Sequence, residues 1–128
     1  SKKSDLVELT AVLRAFVAER EWAQFHDPKN LAMCLASEAG EVLAELRWVA
    51  GQDADRACLE PGLRARLTAE LGDVGIAWLL LCDRIGVDPA HAIAAKIERN
   101  RSKYPVEQSR GRAEVLNPSL PPGSADID

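Results

Sequence analysis

The sequence predicts an all-α fold, a bundle of four main helices, and three observations carry that class. Apolar residues recur at three-and-four spacing through four long segments. The composition is 47% hydrophobic, 28% charged and only 5% aromatic, rich in Ala, Leu, Glu and Arg, which favour helix. Proline, glycine and capping side chains stand where helices should begin and stop. At 128 residues the chain suits one domain that buries roughly two thirds of its unfolded surface.

Ser4 is placed to cap the first helix, whose Leu6, Leu9, Leu13, Phe16 and Val17 follow helical spacing and which should run to about Glu21. Trp22 to Asn30 reads as a loop, because Pro28 discourages helix at Asp27. Asn30 then caps a second helix reaching about Val49, with Gly51 as its stop. A polar linker occupies Gln52 to Gly62. The third helix should span about Leu63 to Ile85 and end at Gly86. Asp88-Pro89 pairs a capping residue with proline at the first helical position. A fourth helix follows through Ala92, Ile93 and Ile97 to about Lys103, stopped by Tyr104-Pro105. From Glu107 onward apolar periodicity disappears while Pro, Gly, Ser and Asp accumulate, so residues 1–106 are expected to form the domain and 107–128 a loosely held tail.

Two acidic pairs stand out, Glu38-x-x-Glu41 and Glu70-x-x-Asp73. Residues three apart share one helical face, so each pair aims two carboxylates the same way. At about 100° per residue, Glu41 and Glu45 fall on one side of Glu38, and Leu31, Leu35, Val42 and Leu46 on the other. Asp73 likewise accompanies Glu70, opposite Leu67, Leu71, Val74, Trp78 and Leu81. In both helices the acids border the apolar stripe, where a partner helix would meet them. The run Ile76 to Leu81 is apolar all round, which argues for burial by a second subunit: a homodimer or, preferred here, a tetramer of two dimers.

Charge and cysteine content narrow the function. A net charge of −4 and a pI near 5.2 argue against a general nucleic-acid binder, though a small phosphorylated ligand stays open. Cys34, Cys58 and Cys82 have neither C-x-x-C nor zinc spacing and read as buried, reduced thiols of a cytoplasmic protein. No apolar run is long enough to span a bilayer.

Converging carboxylates repel unless cations sit between them, and Mg²⁺ prefers such all-oxygen sites. The other reading of these acids is a solvated helix face. Their repeated placement beside the stripe favours the metal. A di-iron bundle would use Glu-x-x-His, yet neither His26 nor His91 follows a Glu by three. Oxygen donors therefore point to Mg²⁺, or Mn²⁺, over iron or zinc.

Glu38-x-x-Glu41, a spacer of 28 residues and Glu70-x-x-Asp73 together resemble the signature of the all-α nucleoside triphosphate pyrophosphohydrolases, the MazG-like group. The segments Glu21-Trp-Ala-Gln-Phe-His-Asp-Pro-Lys-Asn-Leu31, Glu45-Leu-Arg-Trp48 and Asn100-Arg-Ser-Lys-Tyr-Pro105 resemble the dCTP pyrophosphatases within it. The likeness covers about residues 5 to 106.

It implies Mg²⁺-dependent hydrolysis of a nucleoside triphosphate, dCTP or a base-modified dCTP first, to monophosphate and pyrophosphate. Glu38, Glu41, Glu70 and Asp73 match the group's metal ligands, with Glu41 chosen to orient or deprotonate water. Trp22, His26 and Trp48 correspond to residues of the base and sugar pocket, against the alternatives of core packing and a backbone-bonded loop histidine. For Asn30 a substrate contact stands beside the helix-cap reading. Lys96, Asn100 and Lys103 lie at i, i+4 and i+7 on one face. They suit phosphate oxygens or, more simply, a solvated basic helix end. The resemblance extends the triphosphate role to Tyr104. One departure concerns substrate: Ala77 stands where the dCTP pyrophosphatases carry a tyrosine one turn after the acid matching Asp73. The rival functions are the same chemistry on dUTP or a damaged purine triphosphate, and a non-catalytic helical module that binds nucleotides.

Overall fold

The computed structural model describes residues 5–112, and every regular element among them is helical. The α-helices are α1 Leu6–Glu19, α2 Pro28–Leu46, α3 Ala54–Ala57, α4 Pro61–Ile85, α5 Pro89–Lys103 and α6 Val106–Ser109. The four long segments of the sequence reading are α1, α2, α4 and α5.

Caps explain where α1, α2 and α4 begin. The Asp5 carboxylate accepts the Val7 N–H at 2.7 Å and caps α1; the expected cap, Ser4, lies outside the described residues. At α2 the cap is Asp27 and not Asn30, a correction with a clear cause. Pro28 forces Asp27 into extended backbone (ψ 160°), which is the geometry of a capping residue, and proline at the first helical position has no N–H to satisfy. The Asp27 carboxylate then takes the Asn30 N–H at 2.9 Å. At α4, Glu60 accepts the Gly62 and Leu63 N–H groups at 2.8 and 2.7 Å, so the helix starts at Pro61, ahead of the expected Leu63.

Helix ends follow backbone handedness. Glu21 adopts φ 54°, and the Glu21 and Trp22 N–H groups return to the Ala18 and Val17 carbonyls at 3.0 and 3.1 Å. This pairing closes α1 two residues before Glu21 and seats Trp22 against Phe16, with ring centroids 5.8 Å apart. Gly86, at φ 73°, ends α4 in the same way, with its N–H and that of Val87 bonded to Asp83 and Cys82. α2 ends at Leu46, short of Val49, and the linker that follows is a 3₁₀ turn, Gly51–Asp53, leading into α3. An Asp53–Arg56 ion pair at 3.0 Å spans that junction.

The chain divides into two compact units, one up to Pro89 and one from Ala90. In the first, α4 packs along α2 and, over a shorter stretch, on α1. Val17, Leu31, Leu63, Leu67, Ala77, Leu79 and Cys82 are its buried apolar residues. Along α4, Leu63, Leu67, Glu70, Val74, Ala77 and Leu81 form one buried or half-buried line. Glu70 therefore stands within the packed seam instead of bordering it, while Glu41 and Asp73 stay exposed at its edge. Leu71, placed in the core stripe by the sequence reading, is 57% exposed, since it lies about 100° round the helix from Glu70. Leu9 and Phe16 of α1 are likewise exposed, while Thr10 and Val17 are buried.

Two ion pairs pin the helices. The Arg14 guanidinium on α1 grips both oxygens of Asp83 on α4, with Nε at 3.0 Å from each. Arg66 on α4 reaches Glu45 on α2 at 2.9 Å. The second unit holds α5 and the single turn α6, which starts after Pro105. The loosely held tail expected from Glu107 falls mostly on residues outside those described.

Candidate active site

Glu38 on α2 and Glu70 and Asp73 on α4 each offer one carboxylate oxygen to a group whose members all lie within 4.8 Å of one another. Glu38 and Glu70 are half-buried and Asp73 is exposed. Packing of α4 along α2 creates this cluster, because it places the pair of one helix opposite the first acid of the other.

Glu41 stands outside that trio, exposed, one turn beyond Glu38. It nevertheless acts on the site. The Glu70 carboxyl is pushed above its ordinary pKa first by partial burial, then by the charges of Glu41, Asp73, Glu38 and Glu45, in that order. Glu45 is committed elsewhere, to Arg66, whose guanidinium it holds above its usual value.

Oxygen-only donors in a crowded, partly desolvated group fit a hard divalent cation, whose charge would cancel the repulsion recorded at Glu70.

A cavity of about 230 Å³ opens from the cluster, with Glu38 and Asp73 in its wall beside Phe25, His26, Asn30, Leu31, Cys34, Ile76, Ala77 and Leu80. Of the residues expected at a nucleoside pocket, His26 and Asn30 line it. Trp22 and Trp48 do not. Trp22 packs edge-on against Phe16, with Arg20 over both rings. Trp48, just past α2, is 88% exposed, with the Arg47 guanidinium 5.7 Å from its ring.

Lys96, Asn100, Lys103 and Tyr104 belong to the second unit. Lys96 and Lys103 are exposed on α5, and Asn100 is half-buried. The Asn100 carbonyl accepts the Tyr104 N–H at 2.8 Å, and the Lys103 ammonium lies 5.4 Å from the Tyr104 ring.

Several wall residues escaped the sequence reading: Phe25, Leu31, Cys34, Ile76 and Leu80. Spacing held a partial signal. Cys34 is four residues before Glu38, and Ala77, noted only as a departure, is four after Asp73, so both share a face with an acid. Cys34 is also exposed, against the expectation of buried thiols. Cys58 is half-buried and Cys82 buried, and burial pushes the Cys82 thiol up, with Asp88 adding to the effect.

A family model described as the MazG-like family matches residues 33–116, a span that contains all four acids. The chain belongs to the MazG-like family. Relatives within reach of alignment point the same way. The chain is 37% identical over 113 residues to "dCTP pyrophosphatase 1" of Rattus norvegicus, covering 88% of this chain and 66% of that protein. It is 33% identical over 128 residues to the protein of the same name from Homo sapiens, covering all of this chain and 75% of the human one. It therefore spans about two thirds to three quarters of those relatives' length.

Among solved structures, a pyrophosphatase from Archaeoglobus fulgidus superposes with a TM-score of 0.72 at 37% identity, covering 77% of this chain and 90% of that one. No helix among the described residues of this MazG-like chain is long and apolar enough to cross a membrane.

Proposed function

We propose that this MazG-like chain hydrolyses a nucleoside triphosphate to its monophosphate and pyrophosphate, with Mg²⁺, or Mn²⁺, as the metal. The proposed substrate is dCTP or a base-modified dCTP, removed as nucleotide-pool housekeeping. One observation supports this above others: Glu38 and Asp73 belong both to the three-carboxylate cluster and to the wall of a nucleoside-sized cavity. A triphosphate whose α-phosphate lay at the cluster would have its nucleoside in that cavity.

Glu38, Glu70 and Asp73 would hold the metal, whose charge would offset that of the triphosphate and polarise the α-phosphate. Glu41, free of the trio, would accept a proton from the attacking water. An oxygen–phosphorus bond forms at the α-phosphorus while the bond to the bridging oxygen breaks, and that oxygen leaves with pyrophosphate. Lys96, Asn100, Lys103 and Tyr104 take the role of triphosphate ligands in this proposal, and His26 and Asn30 attend the nucleoside.

Trp22, Trp48, Leu71 and Ile76 carry exposed apolar surface, and a homodimer or tetramer would cover it. Trp22 and Trp48 would then meet the base only in the assembled oligomer. Residues 1–106 are proposed as the catalytic domain and 107–128 as its tail. Three unpaired cysteines suit a reducing compartment such as the cytoplasm.

A second reading keeps the chemistry and enlarges the base. Ala77, 2% exposed and in the cavity wall, leaves space that a larger side chain would fill, which favours a bulky or damaged base. Incubating the full chain with Mg²⁺ and a panel of dCTP, 5-substituted dCTP, dUTP and oxidised purine triphosphates tests both. Pyrophosphate release is expected, greatest with cytosine substrates; intact triphosphates, or release of single phosphate, would overturn the proposal.

A further inference from the structure

Asn30 is held in one orientation by two groups that can only accept. Its side-chain nitrogen donates to Asp27 Oδ2 at 2.7 Å and to the Phe25 carbonyl oxygen at 3.2 Å. Turning the amide over would set its oxygen against two oxygens, so the local chemistry decides which end is nitrogen. Both hydrogens of the NH₂ group are thereby used. What Asn30 has left is Oδ1, an acceptor, and Asn30 lines the cavity.

Asp27 cannot readily release this grip. Its Oδ1 caps α2 through the Asn30 N–H at 2.9 Å, and Pro28 keeps its backbone extended. Asp27 thus ties down the backbone and the side chain of the same residue.

Position along the helix supplies the next step. Asn30 precedes Glu38 by eight residues, about 12 Å of helical rise. With the phosphates at the acids, Asn30 stands at the base end of the cavity. The walls there include Phe25 and Leu31, which offer no side-chain hydrogen bond. His26 can present either a donor or an acceptor by choice of tautomer, so it imposes no polarity of its own. Asn30 does.

We infer that Asn30 Oδ1 selects the base, accepting a hydrogen bond from the exocyclic amine of a 4-aminopyrimidine and opposing the 4-keto edge of uracil or thymine. Asp27 is the positioning residue that fixes this polarity. The inference rests on the nucleotide-hydrolysis reading above and adds to it the group that reads the base.

The test compares kcat/KM for dCTP and dUTP, with Mg²⁺, in the full chain and in the Asn30→Ala and Asp27→Asn variants. Asparagine caps as well as aspartate, so Asp27→Asn spares the start of α2 while replacing the closer of the two acceptors facing the Asn30 amide with a group that can donate, leaving only the Phe25 carbonyl to hold its orientation. An acceptor facing a keto oxygen should disfavour dUTP by about tenfold or more in the unaltered protein. Both variants should bring the ratio towards one, chiefly by loss on dCTP, with dUTP changed less than threefold. If Asn30→Ala melts at room temperature, Asp27→Asn carries the test alone. An unaltered ratio in a folded variant, or equal loss on both substrates, overturns the inference, since either result assigns Asn30 to the sugar or to structure only. Should no triphosphate yield pyrophosphate, the functional reading fails by itself. Calorimetric binding of dCMP against dUMP then decides the base reading, supported by a dCMP preference that Asn30→Ala removes and overturned by equal binding.

Discussion

A carboxylate oxygen of Glu38 and one of Glu70 lie within 4.8 Å of each other across the seam between α2 and α4. Like charges do not choose that distance. Apolar packing on the same two helices, at Leu31, Leu63 and Leu67, imposes it. The helices thus hold in readiness a repulsion that a divalent cation would relieve; at Glu70 it adds to partial burial in pushing the carboxyl above its ordinary pKa.

Magnesium should therefore stabilise the fold. At a free concentration a hundred times its dissociation constant, linkage gives about 2.7 kcal/mol. Thermal melts with and without Mg²⁺ measure this, and Glu70→Gln should melt higher than the parent without metal and respond less to adding it. A parent Tm unmoved by Mg²⁺ would remove the metal from the account.

Glu41 and the trio should separate in their effects. Glu41→Gln is expected to lower kcat by about 10²- to 10⁴-fold while leaving the Mg²⁺-induced Tm shift in place. Glu38→Gln and Asp73→Asn should reduce both. Equal loss of the Tm shift in Glu41→Gln would make it a ligand and leave the proton acceptor unassigned.

Acid should loosen the α1–α4 contact. Hydrogen bonding and charge from Arg14 hold the Asp83 carboxyl below its ordinary value, against the opposing effect of partial burial. A depressed carboxylate pKa stabilises the fold above the unfolded value, about 3.9, and that stability is lost as pH falls through the lower folded value. Arg14→Gln should thus lower the urea midpoint at pH 7 and narrow its gap from the parent as pH drops below about 4. A gap constant across that range would deny the pair its effect.

Leu67 and Leu71 offer a paired measurement. Leu67, 9% exposed in the α4 seam, should cost about 2–4 kcal/mol when cut to alanine, seen as a lower urea midpoint. Leu71, 57% exposed, should change the stability of a dilute single chain by less than about 0.5 kcal/mol when replaced by serine. If a second subunit covers it, Leu71→Ser shifts sedimentation towards smaller species at concentrations where the parent is associated. Unchanged sedimentation would take Leu71 out of the interface.

The helices and their approximate limits were legible because their signals are local. Pro28, Gly86 and Pro89 each constrain one or two backbone angles, and those constraints act whatever surrounds them. The cap of α2 obeys the same local rule: Pro28 keeps Asp27 extended, so Asp27 is already in capping geometry and Asn30, where the sequence reading puts the cap, lies inside the helix. The cavity was less legible. His26 and Asn30 came from resemblance, while Phe25, Ile76 and Leu80 carry no chemistry that spacing could flag.

What the sequence determined by itself was the four long helices, most of the punctuation between them and the pairing of acids on one face of α2 and of α4, while the short α3 and α6 fall in segments read as linker and tail. Those follow from the 3.6-residue turn, a property of the backbone alone. Tertiary structure decided which acids meet: Glu38 with Glu70 and Asp73, with Glu41 outside that trio but bearing on Glu70 by its charge, and Glu45 bound to Arg66. It also turned Leu71 outward, carried Glu70 into the seam and aimed the Asn30 amide. How far a helix rotates about its own axis, and its register against a neighbour, are set by side chains interlocking across the contact, which no single helix can specify.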